Sequence, residues 1–228
     1  MYPRPETAHR VHALLFDMDG TLVNSIAVVE RTWRRFADRH RLDPQAVLAA
    51  CHGRRAAETV ALFASPRMDV DAEVRQLTAE ETADVEGVVA IPGARELLAA
   101  LPADRWAIVT SASLGLARRR LEVTGLIIPD VLVTADDVTE GKPAPDGYLS
   151  AARALGVRPA NCLVFEDAPA GLQAGRNAGA SVVGVAGAHP AMAAAAGSWI
   201  DDLTAVDVKR QADGSLLVSI APGTRRYT

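Results

Sequence analysis

Residues 16–25 read FDMDGTLVNS, with Asp17 and Asp19 two positions apart behind the apolar run 11–16. Two carboxylates at the end of a buried segment repel one another and lose hydration. Such a pair calls for an offsetting charge, and a metal ion is the usual one. Three more stretches carry complementary polar residues: Thr110, Ser111, Ala112 and Ser113; Gly141, Lys142 and Pro143; and the acidic pair Glu166 and Asp167. Together these are carboxylates, hydroxyls and one ammonium, the set that a phosphate ester needs. A hard cation such as Mg2+ takes carboxylate and phosphate oxygens in an octahedral shell at ~2.0–2.1 Å. Hydroxyl and backbone N–H donors hold the other oxygens, lysine neutralises the remaining charge, and a carboxylate can serve as nucleophile through an acyl phosphate. Lys142 also stands out by rarity, since only it and Lys209 are lysines among 24 basic residues. Each group has a plainer alternative. The aspartates could cap a turn or helix, Lys142 could be a solvated loop residue, and Ser111 could cap the helix that starts near Leu114, a role compatible with phosphate binding.

The elements that must position these residues are legible as short β-branched runs at 12–16, 106–110, 131–134, 162–165 and 181–185. Helical patterns lie between them, at 114–124, 146–155 and 170–178, and each stops at a glycine, Gly125, Gly156 and Gly179, as the left-handed C-cap rule expects. Strands alternating with helices predict a doubly wound, Rossmann-like parallel sheet, which binds ligands at the carboxyl ends of its strands. The first and second strands, however, are roughly ninety residues apart, too far for one crossover. The intervening residues read as helical. Ile26, Val29, Trp33, Phe36 and Ala37 mark one apolar face, Asp43 and Pro44 open a second helix, and 55–63 and 71–85 continue the pattern. The expected organisation is a catalytic core of residues 10–24 and 90–222 with a helical cap domain, 25–89, hung over the active end of the sheet. Residues 206–210 and 215–220, around Ala212, Asp213 and Gly214, read as a C-terminal β-hairpin. Residues 1–9 and 222–228 read as loose ends, and the alanine-rich stretch 187–197 as surface helix or loop.

Bulk properties narrow the partners. Net charge is −4, which leaves no basic footprint for nucleic acid. No apolar run reaches the ~18–20 residues that span a membrane, and the first ten residues lack a signal core. Cys51 and Cys162 are far apart and read as free thiols in a reducing compartment. A monomeric, cytoplasmic protein acting on a small-molecule phosphate ester is the expectation.

DxDGTL, a later GKPxPD and an acidic pair before APAG occur in this order. With Cys51, His52 and Gly53, with Val85, Glu86 and Gly87 leading to Pro92, Gly93 and Ala94, and with Val109, Thr110 and Ser111, they resemble the haloacid dehalogenase-like superfamily over nearly the whole chain. Within it the likeness is to helical-cap sugar phosphatases of the 2-deoxyglucose-6-phosphatase kind. The resemblance implies roles. Asp17 would attack phosphorus. Asp19 would protonate the leaving oxygen, then activate water, and its backbone carbonyl would bind Mg2+. Asp167 would be a metal ligand, with Glu166 either a ligand or a support. Ser111, or Thr110 beside it, would bind the phosphoryl group with Ala112, and Lys142 would bridge phosphate and Asp17. His52, Arg54 and Glu86 would read the substrate, unless they are ordinary surface residues.

Mutases of the superfamily carry a histidine early in the first cap helix, where this chain has Val29 and no histidine within 26–39. Its phosphonate hydrolases need a cap lysine, absent here, and its dehalogenases lack the second aspartate. A β-phosphoglucomutase-like enzyme and a non-catalytic phosphosugar-binding protein remain the alternatives to a phosphatase.

Overall fold

The computed structural model describes residues 7–186 and 198–221. Six strands form the central sheet: β2 (Ala13–Phe16), β5 (Trp106–Val109), β6 (Leu132–Val133), β7 (Cys162–Glu166), β8 (Ser181–Val185) and β9 (Trp199–Ile200), in the order β6-β5-β2-β7-β8-β9. Every neighbouring pair is parallel. The chain builds outward from β2 through β5 to β6, then returns to β7 on the other side of β2. That reversal is the switch point at which open α/β sheets bind ligands.

β2, β5 and β7 are buried at every residue, which is why they read as continuous apolar runs. Leu14 and Phe16 of β2 join a cluster on one face with Trp106 and Phe165, backed by α5 (Ala94–Ala100) and α6 (Leu114–Thr124). Ala13 and Leu15 point the other way, against α7 (Asp146–Ala154) and Val164, with α8 (Pro169–Asn177) supplying Ala174. Gly125, with φ +63°, ends α6 as expected.

Between β3 (Val23–Asn24) and β4 (Val89–Ala90), which pair with each other, lie α1 (Ile26–His40), α2 (Pro44–Cys51), α3 (Ala56–Leu62) and α4 (Val70–Ala83). Asp43 caps α2 by accepting from Gln45 N, with Pro44 in the first turn. The insert has its own core, with Trp33, Phe36, Val47, Leu48, Val60 and Leu77 in contact.

The hairpin forms as β10 (Val206–Arg210) and β11 (Leu216–Ile220). Its partner corrects the sequence reading. Residues 7–9 are no loose end but belong to β1 (Thr7–Val11), which pairs antiparallel with β11. The sequence TAHRV hides this strand, because its residues alternate between exposed and half-buried and only Val11 of the five is fully buried. Strand β9 also escapes the sequence reading, being two residues long. Residues 1–6, 187–197 and 222–228, two of them expected to be loose ends, lie outside the described residues. No described helix is long and apolar enough to cross a membrane, and Cys51 and Cys162 are buried free thiols.

Candidate active site

Asp17 follows the last residue of β2, and β7 ends with Glu166 followed by Asp167, so the two central strands deliver three carboxylates side by side. Their ligand atoms all lie within 4.8 Å of one another. Lys142 enters from the segment before α7 and is 6% exposed. Its Nζ donates to Asp17 Oδ1 at 2.5 Å, to Glu166 Oε1 at 2.6 Å and to the Val109 carbonyl at 3.1 Å. An ammonium has three donors, and here each has an acceptor. Glu166 is fully buried. Its Oε1 also accepts from the Tyr148 hydroxyl at 3.2 Å and its Oε2 from Ala168 N at 3.0 Å. Two glycines make room for the carboxylates. A Cβ on Gly20, whose φ is +92°, would overlap Asp167 Oδ2, and one on Gly171 would overlap Glu166 Oε1.

Three carboxylates against one ammonium leave a surplus of negative charge in a buried place. Burial pushes the Asp17 carboxyl up to about 8, against the pull of Lys142 and with a further push from Glu166. Asp167 is driven well above the carboxylate range by burial, then by Glu166 and Asp17. Burial works against the Lys142 ammonium too, but Asp17 and Glu166 outweigh it and hold the group protonated. A hard divalent cation would relieve the surplus, and oxygen donors are what Mg2+ takes. The residues therefore fit that ion.

The Asp19 carboxylate stands apart from this cluster. Its Oδ1 accepts from Ser25 Oγ at 2.6 Å, and its Oδ2 pairs with Arg120 Nη1 at 2.5 Å. Arg120 in turn pairs through Nη2 with Glu81 Oε2 on α4, also at 2.5 Å. A cavity of about 100 Å3 lies between the strand ends and the helical insert. Asp17, Asp19, Asp167, Thr110, Ser111 and Ala112 line it from the sheet side, and Trp33, His52, Gly53, Arg54 and Glu81 from the insert. Thr110 is buried and its Oγ1 accepts from Ala112 N at 3.1 Å. Ser111 is more open, and its Oγ donates to the Gly53 carbonyl of the insert at 3.0 Å.

Of the residues singled out from sequence, Glu86 is the one the fold leaves out. It is exposed, away from the cavity lining, and its backbone is engaged by Arg31 and Asp84. Trp33, read as insert core, is in that core and also reaches the cavity wall. Sequence reading misses Tyr148, Ser25, Glu81 and Arg120. Tyr148 has a signal, sitting six residues beyond Lys142 in GKPAPDGY. Arg120 has one too, lying three or four residues from Leu116, Ala117 and Thr124 on the apolar face of its helix. Arg55 and Glu58 are missed as contacts to the core. Arg55 donates to the Val138 and Thr139 carbonyls, and Glu58 accepts from Gly141 N beside Lys142.

An enzyme acting on phosphate esters is the class to which such a switch-point cluster under a helical insert points. The chain belongs to the haloacid dehalogenase-like hydrolases, whose sequence model matches residues 11–179. It is 45% identical over 183 residues to hexitol phosphatase A of Escherichia coli, covering 77% of this chain and 83% of that protein. It is 33% identical over 235 residues to 2-deoxyglucose-6-phosphate phosphatase 2 of Saccharomyces cerevisiae, covering 92% and 95%. Among solved structures, a hydrolase from Pseudomonas syringae superposes with a TM-score of 0.69 at 28% identity, covering 84% of this chain and 93% of that one. The family expected from the motifs is thus the family found, and the chain is a phosphomonoesterase.

Proposed function

We propose that the protein is a Mg2+-dependent phosphatase that hydrolyses small phosphorylated sugars or polyols through an aspartyl phosphate on Asp17. The observation that carries this reading is the buried Asp17 carboxylate, fixed by Lys142 at the mouth of a cavity that Asp19 and Ser111 also line. With Oδ1 held by Lys142, Oδ2 is the attacking oxygen. As the Oδ2–P bond forms, the bond from phosphorus to the ester oxygen breaks, and Asp19, entering the cycle protonated on Oδ1 while Oδ2 stays on Arg120, gives that proton to the leaving oxygen. Asp19 then takes a proton from water, whose oxygen bonds to phosphorus and releases phosphate and free Asp17. Ser111 Oγ, turning from the Gly53 carbonyl, and the backbone N–H of Ala112, turning from Thr110 Oγ1, hold the phosphoryl oxygens. Glu166 fixes Lys142, since both of its oxygens are already engaged within the protein. Asp17, Asp167 and the Asp19 carbonyl would hold Mg2+, which when bound neutralises carboxylate and phosphoryl charge.

Residues 25–89 act as the cap domain over a core of 10–24 and 90–222. His52 and Arg54 read the hydroxyls of the substrate, in keeping with relatives named for a hexitol phosphate and for 2-deoxyglucose 6-phosphate. A mutase reading lacks its histidine: the one on α1, His40, is its last residue, ~21 Å from the first at 1.5 Å per residue. The test is phosphate release from a panel of hexitol, sugar and glycerol phosphates, with Mg2+ and with excess chelator. Turnover of at least one polyol or sugar phosphate, lost on chelation and restored by Mg2+, is expected. Full activity in chelator would remove the metal from the mechanism, and no release from any ester would overturn the reading.

A further inference from the structure

We propose that Arg120 is a positioning residue for Asp19, and that Glu81 holds Arg120 in place, so that seating of the helical insert and alignment of Asp19 are one event. This rests on the reading of Asp19 as acid and base. Arg118 and Arg119 are exposed, whereas Arg120 is 4% exposed. Its planar guanidinium lies between two carboxylates, 2.5 Å from Asp19 Oδ2 and 2.5 Å from Glu81 Oε2. That fork geometry is what arginine does and lysine does not. The Nε is buried without a hydrogen-bond partner, so the two ion pairs carry the anchoring.

The other oxygen of Asp19 is also tied to the insert, because Ser25 immediately precedes α1. Both oxygens of Asp19 therefore answer to the insert: one at its entry, the other through Arg120 at its last helix. The insert is braced internally as well. Arg31 on α1 pairs with Asp84 just past α4, and Arg39 pairs with Glu73 and Glu80. Glu81 thus sits on a unit held together by its own ion pairs, and displacement of α4 withdraws it from Arg120. A proton transfer needs its heavy atoms within ~2.6–3.2 Å, so an Asp19 freed from Arg120 loses alignment even though its chemistry is intact.

The test measures kcat and KM with a hexitol phosphate on Arg120→Met, Arg120→Lys, Glu81→Gln and the two double variants Arg120→Met with Glu81→Gln and Arg120→Met with Glu81→Met, with thermal melts of each. Arg120→Met should lower kcat by about tenfold or more, within the ~10²–10⁴-fold worth of the proton transfers it supports, and leave KM within about threefold. Arg120→Lys should recover part of the loss. Glu81→Gln should lower kcat in the wild-type background and add nothing once Arg120 is methionine, the non-additivity expected of one network. The double methionine variant removes both buried charges, a replacement that proteins tolerate. It should melt like the wild type and keep the low kcat. A folded Arg120→Met with wild-type kcat, an undiminished Glu81→Gln effect in that background, or recovery of kcat in the double methionine variant would each overturn the proposal. Asp19→Asn measured alongside separates the two levels. If it turns over normally, the reading of Asp19 fails and the proposal with it. If it is inactive while Arg120→Met is normal, the proposal alone fails.

Discussion

Replacing Asp17 by Asn should abolish turnover and yet stabilise the metal-free protein. The amide keeps the shape of the carboxyl and can still accept from Lys142, but it cannot ionise. In the native protein, burial and Glu166 raise the Asp17 carboxyl to about 8. Its neutral form therefore suits the folded state, so its contribution to stability is complete below the unfolded value and is lost as pH rises through about 8. From ~3.9, the ordinary aspartate value, to pH 7 is about three pH units at ~1.36 kcal/mol each, or about 4 kcal/mol. Asp167 is raised as well and shares the same surplus charge, so roughly half of that, ~2 kcal/mol, is the expected gain from relieving Asp17 alone. For a chain of this size it corresponds to a Tm higher by about 4–8 °C. The assay is thermal unfolding of wild type and Asp17→Asn in excess chelator from pH 5 to 9. The gap should widen from pH 5 to about 8 and then level off. Saturating Mg2+ should narrow it, because a ligand that binds only the folded state adds ~2.7 kcal/mol at a hundred times Kd, and the variant has lost one of the ligands. A variant no more stable than wild type in chelator at pH 8 would refute the idea of a strained carboxylate cluster.

Lys142→Ala should cut activity by about a hundredfold or more and lower the melting temperature. It strands Asp17 and Glu166 without their shared cation, and breaking a buried pair is worth ~3–5 kcal/mol. Lys209→Ala, an exposed side chain on β10 paired among the described residues with Asp207, should change neither, and equal effects would sink the special role of Lys142. His52→Ala and Arg54→Ala should lower kcat/KM for a hexitol phosphate by roughly tenfold, ~1.4 kcal/mol, and alter aryl phosphate hydrolysis much less; an equal fall on both esters would move these residues out of substrate reading. Asp213, held down to about 2 by Ser215 and Arg10, stabilises the β10–β11 turn above its ordinary value of 3.8 and loses that contribution as pH falls to about 2. Asp213→Asn should therefore melt below wild type at pH 7 and together with it near pH 2, as read by circular dichroism.

How much of this is legible in the sequence depends on whether a residue's signal is local. Asp17, Glu166 and Asp167 follow or end apolar runs, so the strand-end rule alone locates them. Lys142 is visible through its rarity and its motif. The helices of the insert announce themselves by period and by the cap at Asp43. Strand β1 is lost because TAHR has neither apolar alternation nor turn signals, and its pairing with β11 joins residues some two hundred positions apart. Glu86 is misplaced for the opposite reason: a motif position beside the hinge suggests the cavity, while the fold leaves its side chain in solvent.

Arg120 shows where local reading stops. Among three adjacent arginines, helix periodicity puts Arg120 on the apolar face of Leu116, Ala117 and Thr124, but which carboxylate meets it there is decided by tertiary packing alone. The choice is made by α4, which packs on α6 and brings Glu81 to meet it. The same holds for Arg55, whose bonds to the Val138 and Thr139 carbonyls fix the loop that presents Lys142. Ser111 touches the Gly53 carbonyl by the same logic. The elements that carry Asp19, Lys142 and Ser111 are thus each tied to the insert by a contact between residues far apart in sequence. These contacts hold residues to which the proposed mechanism assigns the chemistry. If seating of the insert aligns Asp19 as proposed, substitutions in the insert away from the cavity should change kcat and not only KM.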